Sequence, residues 1–388
     1  MLQDNRGARA LNVGGMAGSL RPWWQRQGWR YHPFEYLDAA RDPHLLEYIV
    51  VPQQVGRLVC EGESVLVLAP PGGGKTALRR YLEQHALKMG GSIPPLTVIP
   101  ALPPTSSANA ERMAVEALAR RLFWQAVHLF DRVIAWHRQK DVRRFLYILW
   151  RQYLRLDLKL VSLWLESAYW EALETLLGPA YQPYPEPTTL RQLAQVLRAL
   201  AKEMPDIQLS IRQAWHEGLA LLKEWDARQV WLLLDGLDGF PETATFSGLW
   251  SFWKDTLARW LTLTNEPLPV ILKAFLPATT EQDAIVGRYA DWPWQSLQWK
   301  DEDFYELLAA RLRAATGGLA DSWDPWVTPS LRPFASRLLE TLPHGRRWPR
   351  EWVVRSKEVL ACLESSGQNR VSVEVWHQCQ WKKREQNP

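Results

Sequence analysis

The sequence predicts an α/β fold: a parallel β-sheet core, a large helical insertion within it, and a helical C-terminal domain. Three observations carry that expectation. The runs Val65–Leu68, Val230–Leu234 and Val270–Leu276 are apolar almost throughout, as strands buried on both faces of a parallel sheet are. Helix-compatible segments separate them, the alternation from which such sheets are built. Residues 105–177 hold neither Gly nor Pro, while apolar and aromatic side chains recur at helical intervals.

At 388 residues there is room for two or three domains. Apolar content of 47% with 23% charged residues is ordinary for a soluble globular protein. A net charge of +4 is too small to imply nucleic acid by itself. Three widely spaced cysteines, Cys60, Cys362 and Cys379, predict a reducing, cytoplasmic setting. His377 and Cys379 resemble half a metal site, but no second ligand pair accompanies them. The sequence opens on no signal peptide, and no apolar stretch approaches the roughly 18 residues of a membrane span, so no membrane is expected. The 23 tryptophans must lie in cores or on partner-facing surface.

Residues 1–30, rich in Gly and Arg and containing Pro22-Trp23-Trp24, predict a flexible arm that docks through its aromatics. Residues 31–104 form the first part of the core: a short helix over Pro43–Tyr48, another over 53–61, the strand at Val65, a helix from Ala77, and a β-branched strand over Leu96–Pro100. Residues 105–225 are the Trp-rich insertion, and its glycine- and proline-free part, 105–177, reads as two or three packed helices with a break near Arg138–Val142. Gly178 and Pro183, Pro185 and Pro187 end that block; Thr188 or Thr189 caps a helix to Met204, and another runs from Ile207 to Trp225. Residues 226–300 complete the core with two apolar strands, helices over Leu249–Leu263 and Glu281–Tyr289, and a strand over Ser296–Trp299. Residues 301–388 form a helical C-terminal domain, the lid of the resemblance given below, with helices over Glu302–Ala315, Pro333–Leu342 and Trp348–Glu364; Arg370–Trp376 reads as a strand or a helical extension.

The most informative run is Ala69-Pro70-Pro71-Gly72-Gly73-Gly74-Lys75-Thr76, set between a buried strand and a helix. That context suits a phosphate-binding loop, in which glycines let backbone N–H groups turn inward and the positive helix end lies under the anion. Pro71, Gly72, Gly73, Gly74, Lys75, Thr76 and Ala77 are the candidate nucleotide-binding residues. Lys75 reaches the β- and γ-phosphates, and the Thr76 hydroxyl coordinates Mg²⁺. Ala69 stands where the loop motif G-x-x-x-x-G-K-[ST] has its first glycine, a hinge that Ala tolerates at negative φ. Asp235, ending an apolar strand expected to neighbour the loop strand, supplies the second metal ligand. Asp238 is the candidate for orienting the attacking water, with Glu242 as the alternative. Arg288 and Arg350 are candidate cations for the transferred phosphoryl, and Lys273 a candidate γ-phosphate sensor.

The loop agrees at six of eight positions with the Gly-Pro-Pro-Gly-Thr-Gly-Lys-Thr loop common in AAA+ ATPases, and residues 31–100 and 226–365 follow the element order of that class. Asp235-Gly236-Leu237-Asp238 is more similar to the STAND (NACHT-type) NTPases, whose second acid occupies the position of Asp238. The resemblance implies a P-loop NTPase core binding ATP and Mg²⁺, an arginine finger at Arg288 given to a neighbouring subunit, and a lid arginine at Arg350. In AAA+ proteins a Glu follows the first acid, whereas Gly236 follows it here, which implies slow, switch-like hydrolysis. The expected partners are further copies of the chain or a separate effector protein. The sequence has no Asn-Lys-x-Asp guanine motif, which favours adenine.

Two other readings stay open. One is a nucleic-acid-associated ATPase regulating replication, transposition or defence, using Arg138, Lys140, Arg143, Arg144, Arg151 and Arg155 or the tail Lys382-Lys383-Arg384. The other is a structural module that holds its nucleotide permanently. The insertion itself reads either as a partner-binding device or as a layer buttressing the sheet.

Overall fold

A computed structural model describes residues 21–52, 55, 62–89, 92–100, 107–130, 136–178, 184–203, 207–236, 266–277, 293–343 and 347–379. They form two compact units. One runs over 51–298, and the other joins the N-terminal 50 residues to 299–388.

The 51–298 unit is built on five parallel strands: β1 (Val65–Ala69), β2 (Pro95–Val98), β3 (Val230–Leu234), β4 (Val270–Pro277) and β5 (Trp294–Ser296). Their spatial order is β2-β3-β4-β1-β5. The sheet is thus α/β and wholly parallel, as the apolar runs predict. One expectation is corrected. The strand carrying Asp235 is not the neighbour of the loop strand, because β4 pairs with both and lies between them. Pairing order depends on non-local packing that no local pattern encodes. The edge strand β5 also starts earlier than expected, at Trp294 rather than Ser296.

Alternation along the strands explains the layers. Leu66, Leu68, Leu96, Val98, Leu232, Leu234, Leu272, Ala274 and Leu276 form one continuous core with the helical block. Helix α3 (Lys75–Lys88) lies on the opposite face, where His85 stacks on Trp231 with ring centroids 6.3 Å apart.

The block between β2 and β3 comprises α4 (Ser107–His128), α5 (Lys140–Leu154), α6 (Leu158–Glu166), α7 (Trp170–Leu177), α8 (Pro187–Glu203) and α9 (Ile211–Glu224). Arg121 Nε of α4 donates to the Pro95 carbonyl at 2.9 Å, tying the block to the sheet edge. Trp150 and Trp136 are fully buried and donate their indole N–H groups to the carbonyls of Ala119 and Ala126. The shared core and the Arg121 bond make the block a layer packed on the sheet. The break before α5 and the stop at Gly178 fall as predicted, and Gly178 has φ 78°. Two starts differ. Helix α8 begins at Pro187, ahead of both threonines, because proline's fixed φ suits a first helical position. Helix α9 begins at Ile211 because the Ser210 hydroxyl accepts from Gln213 N at 3.2 Å.

The second unit contains α1 (Trp23–Arg26), α2 (Leu45–Tyr48), α10 (Asp301–Thr316), α11 (Phe334–Glu340), α12 (Pro349–Ser366) and α13 (Val373–Gln378). Its core gathers Trp23, Trp29 and Phe34 with Phe304, Trp323, Phe334 and Trp352. Residues 21–50 therefore pack with the C-terminal helices, which corrects their assignment to the arm and the start of the core. Docking through aromatics holds for Trp23 and Trp29, 0% and 5% exposed. Arg311 of α10 fastens the segment, donating to the Pro33 carbonyl at 2.6 Å and lying over the Tyr48 ring at 4.3 Å. Burial pulls this guanidinium down to about 10, while Asp42 partly restores it. Residues 370–376 are neither a full strand nor an extension of α12. Val371 makes one parallel bridge to Val327, and the short α13 follows with the Ser372 hydroxyl as its cap.

No helix among the described residues is long and apolar enough to cross a membrane.

Candidate phosphate-binding site

Strand β1 is buried along its whole length and delivers the chain to the loop at Ala69, 0% exposed. The turn that follows needs all three of its glycines, for two different reasons. Gly72 and Gly74 have φ of 81° and 97°, left-handed conformations that L side chains resist. Gly73 is required by space, since a Cβ there would lie 2.9 Å from both the Ala69 Cβ and the Pro70 carbonyl oxygen. Its N–H donates to that same carbonyl at 2.9 Å, closing the turn. Ala69 thus fits the hinge, and its methyl together with the Pro70 carbonyl leaves no room for a side chain at Gly73.

Gly74 is the N-cap of α3, and its carbonyl accepts the first helical bond from Leu78 N at 3.0 Å. The N–H groups of Lys75, Thr76 and Ala77 precede that bond and have no intrahelical acceptor. Their partial positive charge is matched by no acidic side chain in the first turn. Lys75 is 4% exposed, and its Nζ donates to the Ala69 and Pro70 carbonyls at 2.7 and 3.0 Å, so the ammonium spans the mouth of the loop.

Asp235 follows β3 and extends its ladder, with its N–H donating to Val98 O at 3.1 Å. Gly236 beyond it has φ 83°, and a Cβ there would meet Ile99 Cγ2 at 3.0 Å. A glutamate directly after the acid would be strained.

The carboxylate of Asp235 is 2% exposed and reaches α3 from two strands away. Its Oδ2 accepts from Arg79 Nε at 3.0 Å, while Oδ1 is buried with no hydrogen-bond partner among the described residues. Arg79 NH1 also donates to Glu83 Oε2 at 2.7 Å, and Glu83 Oε1 accepts from the Thr97 hydroxyl at 2.6 Å. Thr97 lies on β2, so this polar chain crosses from α3 to two strands. An unpartnered, buried carboxylate oxygen fits a divalent cation. Among the described residues no three His, Cys, Asp or Glu side chains come together as a metal cage. That donor set suits Mg²⁺, which takes one or two carboxylates and completes its shell with phosphate oxygens and water.

The remaining candidates are distributed differently. Asp238, Glu242 and Arg288, with the helices expected over Leu249–Leu263 and Glu281–Tyr289, lie outside the described residues. Arg350 is exposed in the first turn of α12, in the other unit. Lys273 is fully buried, level with Val65 at the start of β1, and its Nζ donates to Glu63 O at 2.9 Å. The loop leaves the other end of β1, about 13 Å away at the rise of a strand, so Lys273 braces the sheet rather than facing the loop.

Sequence reasoning missed Arg79, Glu83 and Thr97. The signal was present. Lys75, Arg79, Leu82, Glu83 and Ala86 recur at helical spacing on one face of α3, and all are buried. Neighbouring Arg80 disguised it, since two adjacent arginines read as solvated.

Comparison with protein-family models, with curated proteins and with solved structures finds no match.

Proposed function

We propose that this chain is a Mg²⁺-dependent ATP-binding protein, a slow AAA+/STAND-like switch ATPase. In its ATP state it engages further copies of itself or a separate effector protein. The observation that carries this reading is the triple-glycine turn, with its left-handed Gly72 and Gly74 and its space-limited Gly73, set between a buried strand and the amide-bearing start of α3. Lys75 and the first-turn amides would hold the β- and γ-phosphates. Thr76 and the free Oδ1 of Asp235 would hold Mg²⁺, which when bound neutralises charge on the transferred phosphoryl. Asp238 or Glu242 orients the attacking water in this reading, and Arg288 supplies a cation. Gly236 supports slow turnover, because its backbone disfavours a catalytic glutamate beside the metal acid.

The test is titration with a fluorescent ATP analogue, with and without Mg²⁺, together with phosphate release. Lys75→Ala should weaken binding by about 10- to 100-fold, the worth of a charge-assisted hydrogen bond. Asp235→Ala should retain nucleotide but stop turnover. Wild-type affinity in a folded Lys75→Ala protein would overturn the reading.

One observation favours a second reading. Arg138, Lys140, Arg144, Arg151 and Arg155 are all exposed along α5 and its flanks, a basic surface suited to a nucleic-acid backbone. Steeply salt-dependent DNA binding, lost on neutralising Arg144 and Arg151, would support it.

A further inference from the structure

Arg79 makes a contact that an ordinary surface pair does not explain. It is 5% exposed, and its guanidinium lies between two carboxylates, Asp235 and Glu83, 2% and 8% exposed. Burying two carboxylates beside a single metal position without a counter-ion would be costly. A guanidinium there neutralises them but also repels an incoming divalent cation. A Mg²⁺–triphosphate complex is different, because its net charge is negative and the guanidinium attracts it. The unpartnered Oδ1 of Asp235 is the one carboxylate oxygen of this group left buried and unbonded.

Building on the phosphate-site reading above, we propose that Arg79 is a positioning residue and the resident counter-ion of the metal position. It holds Asp235 by Oδ2, leaves Oδ1 for the metal, and keeps free divalent cations out until nucleotide carries one in. Metal and nucleotide therefore bind as a unit, and the sheet edge senses that event through Glu83 and Thr97.

The experiment measures Mn²⁺ binding, by electron paramagnetic resonance, to nucleotide-free protein and to protein with ADP. Wild type should show saturable Mn²⁺ binding only with ADP. Arg79→Gln keeps a donor to Oδ2 and removes the charge, so nucleotide-free protein should gain Mn²⁺ affinity by about tenfold or more. Arg79→Lys keeps the charge and should behave as wild type, and adding Asp235→Asn to Arg79→Gln should abolish the gain. The proposal is overturned if wild type binds Mn²⁺ equally well without nucleotide, a measurement that needs no variant. It is also overturned if folded Arg79→Gln gains nothing, or if Arg79→Lys gains as much. Failure of the wild type to bind the fluorescent ATP analogue would instead sink the phosphate-site reading, which separates the two.

Discussion

At the scale of single residues, the loop is over-determined. Gly73→Ala places a methyl against Ala69 and the Pro70 carbonyl, neither of which is a flexible chain end. It should weaken nucleotide binding by about 10- to 100-fold while the protein stays folded, the worth of a displaced charge-assisted hydrogen bond to phosphate. Adding Ala69→Gly should not restore binding, because the Pro70 oxygen still blocks the site. Titration with the fluorescent analogue and circular dichroism melts check both. This part of the site was legible in sequence because glycine and proline report backbone needs directly and Lys75 follows them at a fixed spacing. Arg79 was not, since only the packed position of α3 separates it from Arg80. Nor could composition show that Lys273 would spend its charge on the Glu63 carbonyl and the Trp231 ring.

At the scale of elements, the apolar runs gave β1, β3 and β4 closely, while the order of strands and the face covered by the helical block emerged only in three dimensions. The block is joined to the sheet by close packing. Gly218 of α9 shows how close: a Cβ there would lie 2.7 Å from Leu118 Cδ2 of α4. Gly218→Leu should therefore destabilise the 51–298 unit by about 1–3 kcal/mol through overpacking. Trp150→Ala should cost more, about 3–5 kcal/mol, because it opens a large cavity and removes the indole bond to the Ala119 carbonyl. Chemical denaturation of each variant measures both. A block that merely decorated the sheet would unfold first and leave the sheet intact, the outcome that contradicts this picture.

At the scale of the whole molecule, the second unit titrates. His32 accepts from Phe34 N through Nδ1 at 3.0 Å, and burial, aided by the nearby Lys357 charge, holds its pKa below the ordinary value. The folded protein then binds fewer protons than the unfolded chain once pH drops below about 6.5. This contribution is complete above that pH and is lost as pH falls toward the depressed folded value. Melting should therefore occur at lower temperature at pH 5.5 than at pH 7.5, with His32→Gln flattening the difference. Removing residues 1–50 should leave 299–388 unable to melt cooperatively, since Trp23, Trp29 and Phe34 supply much of its core. Proteolysis and tryptophan fluorescence report that loss.

Because that unit draws on segments on either side of residues 51–298, that intervening portion must be synthesised before Trp23 and Trp29 meet the helices that cover them. A nascent chain therefore carries uncovered indoles until residues 299–388 have been made. Protection by a chaperone, or early folding of the sheet-bearing portion, governs how much of the protein reaches its final form.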